Sequence, residues 1–331
     1  MKSFLVIGSN SFSGSHFINL LLNKNFKVWG ISRSKELGNE FLLFKNHKNL
    51  RNYKFNLLNL NKLNDRKKII KIVKDKKIKN VVNFAAQGMV EESFKNPCDW
   101  YNTNLLSTVD FVERLKNLNI ENYLHITTPE VYGNIKTRIF EDSRKNPSTP
   151  YAISRLAMDY HLHAIHKVNN FPVKFSRAAN VYGEGQQLYR IIPKTILKIL
   201  TKEKLYLHGS GLSKRSFVHI SDISEGYYKI LMYGKKGHTY HLADENFISI
   251  KQLVKRISDK LGVNYKKNII ENTNDRLGKD YIYKLDASKI AKELKWSPKI
   301  DLDTGLNNTI SWIKKNFSKF KNSDLEYKHK K

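Results

Sequence analysis

Short apolar runs alternate with amphipathic helical stretches over the first two-thirds of this chain, and this alternation restricts the possible folds more than any other feature. Parallel strands require helical crossovers, and strands covered on both faces lack the polar alternation of an exposed sheet. The pattern predicts strands at 3–8, 27–32, 81–85, 123–127 and 173–178, with helices near 14–24, 62–76, 98–118 and 151–168. It therefore predicts an α/β domain with a doubly wound parallel sheet.

The pattern becomes irregular after residue 180 and predicts a second domain. Helices are expected near 191–201, 249–261, 286–294 and 303–316, with a strand at 216–220. We expect a first domain of residues 1–179 with a return element at about 222–244, and a smaller C-terminal α/β domain at 180–317. Residues 318–331 are mostly Lys, Asn and Asp, and predict a frayed polar tail.

The composition excludes several classes of protein. Of the 331 residues 40% are hydrophobic, so the chain can bury a core despite a formal net charge of +29. No run approaches about 18 apolar residues, and the N-terminal residues lack the layout of a signal peptide. The lone Cys98 excludes a disulfide framework and a cysteine-based zinc site. We therefore expect a cytoplasmic protein with no membrane partner.

The net charge of +29 raises the question of a nucleic-acid partner. Of the 59 basic residues 47 are Lys and 12 are Arg, whereas nucleic-acid surfaces favour the planar fork of arginine. The densest basic segment, 66–79, carries apolar residues at helical spacing, which is typical of a helix with a solvated outer face. The charge therefore favours no nucleic-acid partner.

The turn after the first predicted strand carries the spacing of a dinucleotide site. Its sequence is Gly8-Ser9-Asn10-Ser11-Phe12-Ser13-Gly14, and a helix follows directly. Glycines there allow a tight turn, close approach of the backbone to pyrophosphate, and close helix–strand packing. The helix N-terminus adds free N–H groups. The turn therefore predicts a Rossmann dinucleotide site, although Ser11 stands where the middle glycine is usual.

The end of the second predicted strand bears on which dinucleotide is bound. An acidic residue there accepts hydrogen bonds from a ribose hydroxyl, whereas an arginine pairs with a 2′-phosphate. The chain has Arg33 at this position. The cofactor is therefore expected to be NADP or NAD, with NADP slightly preferred.

Several further motifs recur in one order and spacing, and together they resemble the extended short-chain dehydrogenase/reductase family, within it the nucleotide-sugar 4,6-dehydratases. The matching pieces are 56–59 (NLLN), 83–87 (NFAAQ), Asn104, 127–133 (TTPEVYG), 146–147 (NP), 151–155 (YAISR), 180–183 (NVYG) and 275–280 (DRLGKD). The resemblance covers nearly the whole chain. It implies that the cofactor, which is regenerated in each cycle, is held by Gly8, Ser11, Phe12, Ser13, Gly14, Arg33, Asn56, Leu57, Ala85, Ala86, Gln87, Asn104, Tyr151 and Arg155.

The resemblance implies that Tyr151 is the base that takes the proton of the C4 hydroxyl while hydride passes to the nicotinamide. A phenol has an ordinary pKa near 10 and needs help to act at neutral pH. The family has a lysine four residues later, where this chain has Arg155. Arginine keeps the positive charge and the donors, but its fork is bulkier and differently directed.

Glu130 favours a dehydratase over an epimerase. The family's epimerases lack a carboxylate there, whereas its dehydratases use a glutamate to remove the C5 proton before water leaves C6. Thr128 corresponds to the threonine that hydrogen-bonds the 4-oxygen of the sugar. Because Pro129 stands where one dehydratase branch has an acidic aspartate, Glu130 is also the candidate for protonating the departing hydroxyl.

The resemblance further implies a nucleotide-diphosphate hexose as the substrate, bound by the second domain. Two phosphates call for arginine and amide donors. The candidate residues are Asn180, Arg190, Lys194, His208, Arg215 and Arg276. The family's usual dimer uses the helices near 98–118 and 151–168, which implies a homodimer.

Three histidines near the end of one predicted helix, His161, His163 and His166, could suggest a metal site. Their spacing does not converge on one face of a helix, and no carboxylate pairs lie nearby, so no metal is expected. Two other functions remain open. One is a nucleotide-sugar 4-epimerase of the same family, and the other is a non-catalytic member that senses dinucleotides or binds nucleic acid.

Overall fold

The computed structural model describes residues 1–135, 137–272 and 284–329. Its largest feature is a parallel seven-stranded sheet with the strand order β11-β7-β5-β4-β1-β2-β3. The strands of this sheet and of the smaller sheets are β1 (Ser3–Ile7), β2 (Lys27–Ser32), β3 (Tyr53–Leu57), β4 (Asn80–Asn83), β5 (Asn122–Ile126), β6 (Arg138–Ile139), β7 (Val173–Ala178), β8 (Asn180–Tyr182), β9 (Leu205–His208), β10 (Lys214–His219), β11 (Thr239–Leu242), β12 (Phe247–Ser249), β13 (Ile269–Asn272) and β14 (Lys284–Leu285).

Helices cover both faces of the large sheet. The helices are α1 (Phe12–Asn23), α2 (Leu63–Asp75), α3 (Val90–Lys95), α4 (Pro97–Tyr101), α5 (Ser107–Leu115), α6 (Pro150–Asn169), α7 (Ile191–Leu200), α8 (Ile220–Tyr233), α9 (Ile250–Lys260), α10 (Tyr265–Asn268), α11 (Ser288–Leu294), α12 (Leu302–Lys315) and α13 (Phe317–Phe320). On one face α1 and α8 bury residues such as Phe17 and Ile230. On the other face α2, α5 and α6 bury Ile69, Phe111 and Leu162. The predicted doubly wound α/β fold is confirmed.

The chain after Asn180 forms smaller sheets and a separate hydrophobic core. β8 and β10 run parallel, and β12 pairs antiparallel with β10. α7, α9 and α12 pack a core that includes Ile196, Leu253 and Ile313. Between these elements, α8 and β11 return to the large sheet, where β11 pairs with β7. No helix within the described ranges is long and apolar enough to span a lipid bilayer.

Two local features differ from the sequence-based expectation. The helix expected near 98–118 is three segments, because a π-helical stretch, Asn102–Leu106, separates α4 from α5. Such stretches insert one extra residue per turn and occur often at functional sites. β3 has no apolar run that predicts it, because it lies at the edge of the sheet and is only half covered.

The C-terminal residues up to His329 pack against the molecule, which corrects the expectation of a frayed tail at 318–331. The Phe320 ring lies 5.1 Å from that of Trp312 and 5.3 Å from that of Phe41, measured between centroids. The His329 ring stacks on Trp100 at 5.0 Å. The polar composition concealed these contacts, because a few aromatic rings, rather than the many charged side chains, fix the position of the segment.

Candidate active site

The turn at the end of β1 is shaped so that only glycine fits at its two ends. Gly8 has φ +84°, and a Cβ atom there would lie 2.8 Å from the backbone nitrogen of Ala85. A Cβ atom on Gly14 would lie 2.3 Å from the carbonyl oxygen of Gly8. Ser11 caps α1 by accepting a hydrogen bond from the Gly14 N–H at 3.0 Å. The turn therefore brings backbone close to backbone at a helix N-terminus, which fits the pyrophosphate of a dinucleotide.

The neighbouring strand ends carry the other residues expected beside the dinucleotide. Arg33 follows β2 and is exposed, and Leu57 at the end of β3 is 52% exposed. Asn56 donates a hydrogen bond to the Gly30 carbonyl at 3.4 Å. These residues lie at the carboxyl edge of the parallel sheet, where open α/β sheets bind their ligands.

Asn104, in the π-helical stretch, joins two parts of the site. It is fully buried; its side-chain oxygen accepts from the Gln87 N–H at 2.8 Å, and its amide donates to the Gln87 carbonyl at 3.1 Å. The same amide donates to Ser154 Oγ at 3.0 Å. Asn104 therefore fixes the segment after β4, which carries Ala85 and Ala86, relative to the first turns of α6.

The segment after β5 presents Thr128 and Glu130. It forms a short 3₁₀ turn, Pro129–Tyr132, for which Thr128 is the N-cap, accepting from the Glu130 N–H at 3.4 Å. Pro129 supplies the fixed φ that favours the first position of such a turn. Thr128 is buried and Glu130 is partly exposed. The turn therefore directs both residues to the same edge of the sheet.

Tyr151 lies in the first turn of α6 and meets this segment. Thr149 caps the helix by accepting from the Ala152 N–H at 3.1 Å. The Tyr151 phenol is hydrogen-bonded to the Thr128 side chain. Burial, and next the negative charge of Glu130, raise the pKa of Tyr151, whereas the charge of Arg155 and the Thr128 hydrogen bond lower it. The four residues predicted to be catalytic are therefore together.

Arg155 lies one helical turn after Tyr151 and is only 3% exposed. Its Nε is enclosed and has no hydrogen-bond partner within the described parts of the chain. A buried donor without a partner is unfavourable by about 1–3 kcal/mol, more when it is charged. The guanidinium therefore fits a ligand oxygen, such as a ribose hydroxyl of a nicotinamide dinucleotide.

The second domain contributes Arg190 and Lys194, the residues expected to border the nucleotide of the substrate. Arg190 is the residue just before α7, and its guanidinium lies over the Tyr189 ring at 5.3 Å. Its charge is the smallest of the influences on the pKa of Tyr151, which it lowers. Lys194 forms an ion pair with Glu326 at 2.5 Å.

The three diphosphate candidates, Asn180, Arg215 and Arg276, and the nucleobase candidate His208 lie on the small sheets or outside the described residues. Asn180 begins β8, and Arg215 lies on the paired strand β10, two residues before the register partner of Asn180. His208 ends β9. Arg276 lies outside the described residues. Asn180 and Arg215 therefore share one small sheet of the second domain.

Comparison with known proteins identifies the family. A family model described as GDP-mannose 4,6 dehydratase matches residues 5–309. The chain belongs to this family. Human dTDP-D-glucose 4,6-dehydratase is 32% identical over 247 residues, which are 73% of this chain and 70% of the human protein. The dTDP-glucose 4,6-dehydratase of Streptomyces niveus is 29% identical over 237 residues, which are 71% of this chain and 70% of that enzyme.

Solved structures agree with this family assignment. The dTDP-glucose 4,6-dehydratase DesIV of Streptomyces venezuelae, with NAD bound, superposes with a TM-score of 0.87 at 27% identity, covering 96% of this chain and 98% of DesIV. The dTDP-glucose 4,6-dehydratase of Bacillus anthracis in complex with NAD gives a TM-score of 0.83 at 27% identity, covering 96% of this chain and 98% of that enzyme. The chain is therefore an enzyme of the extended short-chain dehydrogenase/reductase family, and the resemblance inferred from its motifs is confirmed.

A buried polar network behind the active site was missed by sequence reasoning. Asp159, two helical turns after Tyr151, accepts from Thr127 Oγ1 at 2.9 Å and from Arg177 Nη2 at 2.8 Å. Arg177 also donates to the Tyr132 hydroxyl at 2.5 Å. The network therefore ties α6 to the strand end that carries Thr128. The spacing of Tyr151, Arg155 and Asp159 on one helix was the available signal.

The three histidines of α6 have separate partners. The His163 ring stacks on Phe175 at 4.3 Å, and His166 Nδ1 lies 2.8 Å from the Phe171 carbonyl oxygen. His161 Nε2 lies 3.5 Å from a carboxylate oxygen of Glu113. The three rings therefore take part in packing and local polar contacts at different places.

Proposed function

We propose that this enzyme is a nucleotide-diphosphate-hexose 4,6-dehydratase that makes a 4-keto-6-deoxy sugar nucleotide. One observation carries the proposal: the Glu130 carboxylate lies close enough to the Tyr151 phenol to raise its pKa, while Thr128 is hydrogen-bonded to that phenol. An elimination needs a second base beside the one that takes the C4 hydroxyl proton, whereas a simple C4 epimerisation does not need it.

Tyr151 and Thr128 serve the first half of the reaction. The Tyr151 oxygen takes the proton of the C4 hydroxyl, and Thr128 hydrogen-bonds the same sugar oxygen. A bound nicotinamide supplies the acceptor for the C4 hydride and later returns that hydride to C6. Arg155, one helical turn from Tyr151, favours the phenolate by its charge. Its enclosed Nε is available to a ribose hydroxyl.

Glu130 serves the second half of the reaction. Oxidation at C4 acidifies the C5 proton, which the Glu130 carboxylate removes. The C6 hydroxyl leaves as water when it takes a proton, and the protonated Glu130 is the group that can deliver it. This transfer restores the carboxylate, so Glu130 acts first as base and then as acid. Hydride return to C6 is completed by a proton at C5, which balances the proton that Tyr151 took from the C4 hydroxyl.

The cofactor is a nicotinamide dinucleotide, with NADP preferred over NAD. The relatives of known structure bind NAD, and the glycine turn of this chain fits either form. The preference rests on Arg33, which is exposed at the end of β2, where a 2′-phosphate would lie. Arg33→Ala is expected to weaken NADP binding and leave NAD binding nearly unchanged in titrations monitored by protein fluorescence. Equal weakening of both would show that Arg33 does not read the 2′-phosphate.

The substrate is a nucleotide-diphosphate hexose whose phosphates contact Arg190, Lys194, Arg215 and Asn180. The deciding experiment incubates the purified enzyme with UDP-, dTDP-, GDP- and CDP-hexoses and measures product masses. Loss of one water molecule from one of these sugars is expected. An unchanged mass with inverted C4 configuration would instead identify an epimerase. Tyr151→Phe is the matched control, because it removes only the base oxygen.

The enzyme is proposed to act as a homodimer through α5 and α6. Apolar side chains are exposed on α6 and just before α5, with Ile153 at 42%, Tyr160 at 58% and Leu106, the last residue of the π-helical stretch, at 62%. Exposed apolar groups of this kind are typical of subunit interfaces. Light scattering is expected to give twice the chain mass, and Tyr160→Asp is expected to shift it towards one chain. A monomeric wild-type protein would contradict the proposal.

A further inference from the structure

The last described residues, 323–329, run across the open edge of the active site, and we call them the C-terminal segment. Just before it, Phe320 of α13 is 2% exposed and packs against Phe41, which lies in the connection between β2 and β3. Lys319 adds an ion pair with Glu40 at 3.0 Å. The segment therefore starts from a fixed point beside the dinucleotide half of the molecule.

The first residues of the C-terminal segment face the glycine turn. Ser323 and Asp324 line a cavity of about 280 Å³ together with Asn10 and Phe12 of that turn. Gly185 and Leu188 of the second domain line the same cavity. The segment therefore forms one wall of a space whose other walls are the dinucleotide turn and the substrate domain.

The middle of the C-terminal segment contacts the residues proposed to bind the substrate. Glu326 forms an ion pair with Lys194 at 2.5 Å, and the Tyr327 ring lies 5.4 Å from the Tyr189 ring. Burial is the largest influence on the pKa of Tyr327 and raises it, as do Tyr189 and Glu92, whereas the charges of Arg33 and Arg190 lower it. The Tyr327 ring therefore lies between the end of β2 and the start of α7.

The end of the C-terminal segment returns to the dinucleotide domain at α4. The His329 ring is nearly parallel to that of Trp100, with an interplanar angle of 16° and centroids 5.0 Å apart. His329 Nε2 lies 2.7 Å from a carboxylate oxygen of Asp99. The segment is therefore held at its start by both domains, in its middle by the second domain and at its end by the first.

We propose that the C-terminal segment is a strap that retains the nicotinamide dinucleotide in its cleft between turnovers. Tyr327 contacts the bound nucleotide, and His329 holds the end of the segment against α4. This inference rests on the proposed function, in which hydride returns to C6 and the dinucleotide need not leave. Loss of the reduced dinucleotide in mid-cycle would strand a keto sugar on the enzyme. The sugar nucleotide must exchange in every cycle, so the strap is assigned to the dinucleotide.

The test measures how fast the fluorescent reduced dinucleotide leaves the full-length enzyme when it is displaced by an excess of the oxidised form. His329→Ala and Tyr327→Ala are expected to release it about tenfold faster, because each loses an aromatic contact and His329 also a hydrogen bond. Truncation after Asn322 is expected to have a larger effect. Lys321→Ala is the matched control, since Lys321 is exposed and lies just before the segment, and is expected to leave release unchanged.

A second measurement separates retention from a purely structural role. Bound dinucleotide is expected to slow tryptic cleavage after Lys328, while the melting temperatures of the point variants stay close to that of the wild type. Unchanged release from His329→Ala and Tyr327→Ala, or faster cleavage when dinucleotide is added, would overturn the strap and leave the proposed function standing. A protein that binds no nicotinamide dinucleotide would overturn both.

Discussion

Asp159 and Arg177 form an ion pair 2.8 Å long in which the two side chains are 1% and 2% exposed. It joins α6, which carries Tyr151 and Arg155, to β7 beneath the segment that carries Thr128. The geometry of the catalytic group therefore depends on a contact that no part of the reaction uses.

Removing one partner of this ion pair should strongly destabilise the enzyme. Asp159→Ala leaves the Arg177 guanidinium buried without its carboxylate, and we expect a loss of about 3–5 kcal/mol in the free energy of unfolding. Urea titration measures it. The control is Glu121→Gln, which breaks the ion pair of Glu121 with Lys79, where the Glu121 side chain is 60% exposed. This change should lower the free energy of unfolding by under about 1 kcal/mol. Equal effects of the two changes would contradict the prediction.

Glu130→Gln should separate the two halves of the reaction. The amide cannot accept the C5 proton, so elimination is expected to slow ~100-fold or more, while oxidation at C4 continues. Reduced dinucleotide should then accumulate on the enzyme after substrate is added, and absorbance of the nicotinamide measures it. Normal turnover by this variant would show that another group removes the C5 proton.

The charge of Arg155 should set the pH dependence of the first step. Burial and Glu130 raise the pKa of Tyr151, and Arg155 lowers it. Activity requires the phenolate, so it should rise with pH, and Arg155→Met should move this rise to higher pH by about one pH unit or more. Arg155→Lys keeps the charge and should preserve the profile. A pH profile that is identical in all three proteins would exclude an electrostatic role.

Acid should destabilise the protein through its buried histidines. Burial, together with the charge of Arg177, lowers the pKa of His241 to about 3. The folded protein then binds fewer protons than the unfolded chain, so stability is complete above the unfolded pKa of about 6.5 and falls as the pH drops towards 3. We expect a loss of about 2 kcal/mol from His241 alone between about pH 8 and pH 5.

His241→Gln tests this assignment, because it removes the titrating ring. His241 Nε2 lies 2.7 Å from the Tyr132 hydroxyl, and Nδ1 lies 3.0 Å from the Asp286 carbonyl oxygen, so the variant is expected to be less stable at neutral pH. Its stability should nevertheless depend less on pH than that of the wild type. Urea titrations at several pH values measure this dependence. If the free energy of unfolding of the variant depends on pH as strongly as that of the wild type, His241 is ruled out as the source.

Much of the fold could be predicted because it is encoded locally. β2 and β7 fall at the expected residues, and α1, α2 and α6 begin and end within a few residues of expectation. Strands covered on both faces must be apolar throughout, and helices that cover them must be apolar along one side. β3 lacks a continuous apolar run and could not be predicted in this way, because an edge strand buries only part of its surface.

The candidate site was predictable where its residues are neighbours along the chain or belong to motifs. Gly8 and Gly14 share one turn, and Tyr151 and Arg155 are four residues apart on one helix, so local geometry places each pair. The meeting of Thr128 with Tyr151 was expected from the family resemblance and not from spacing. Arg190 was expected beside the nucleotide of the substrate, and its electrostatic influence on Tyr151 is a product of domain packing.

The sequence by itself determined the doubly wound sheet, the glycine turn and the helix that carries Tyr151 and Arg155, because each depends on periodicity or on residues close along the chain. Only the tertiary structure decided the buried contact of Asp159 with Arg177 and the course of the C-terminal segment. Tyr327 and His329 stand in a polar stretch that predicts disorder. They are fixed by Tyr189 and Trp100, aromatic partners far away along the chain that only the completed fold brings within reach.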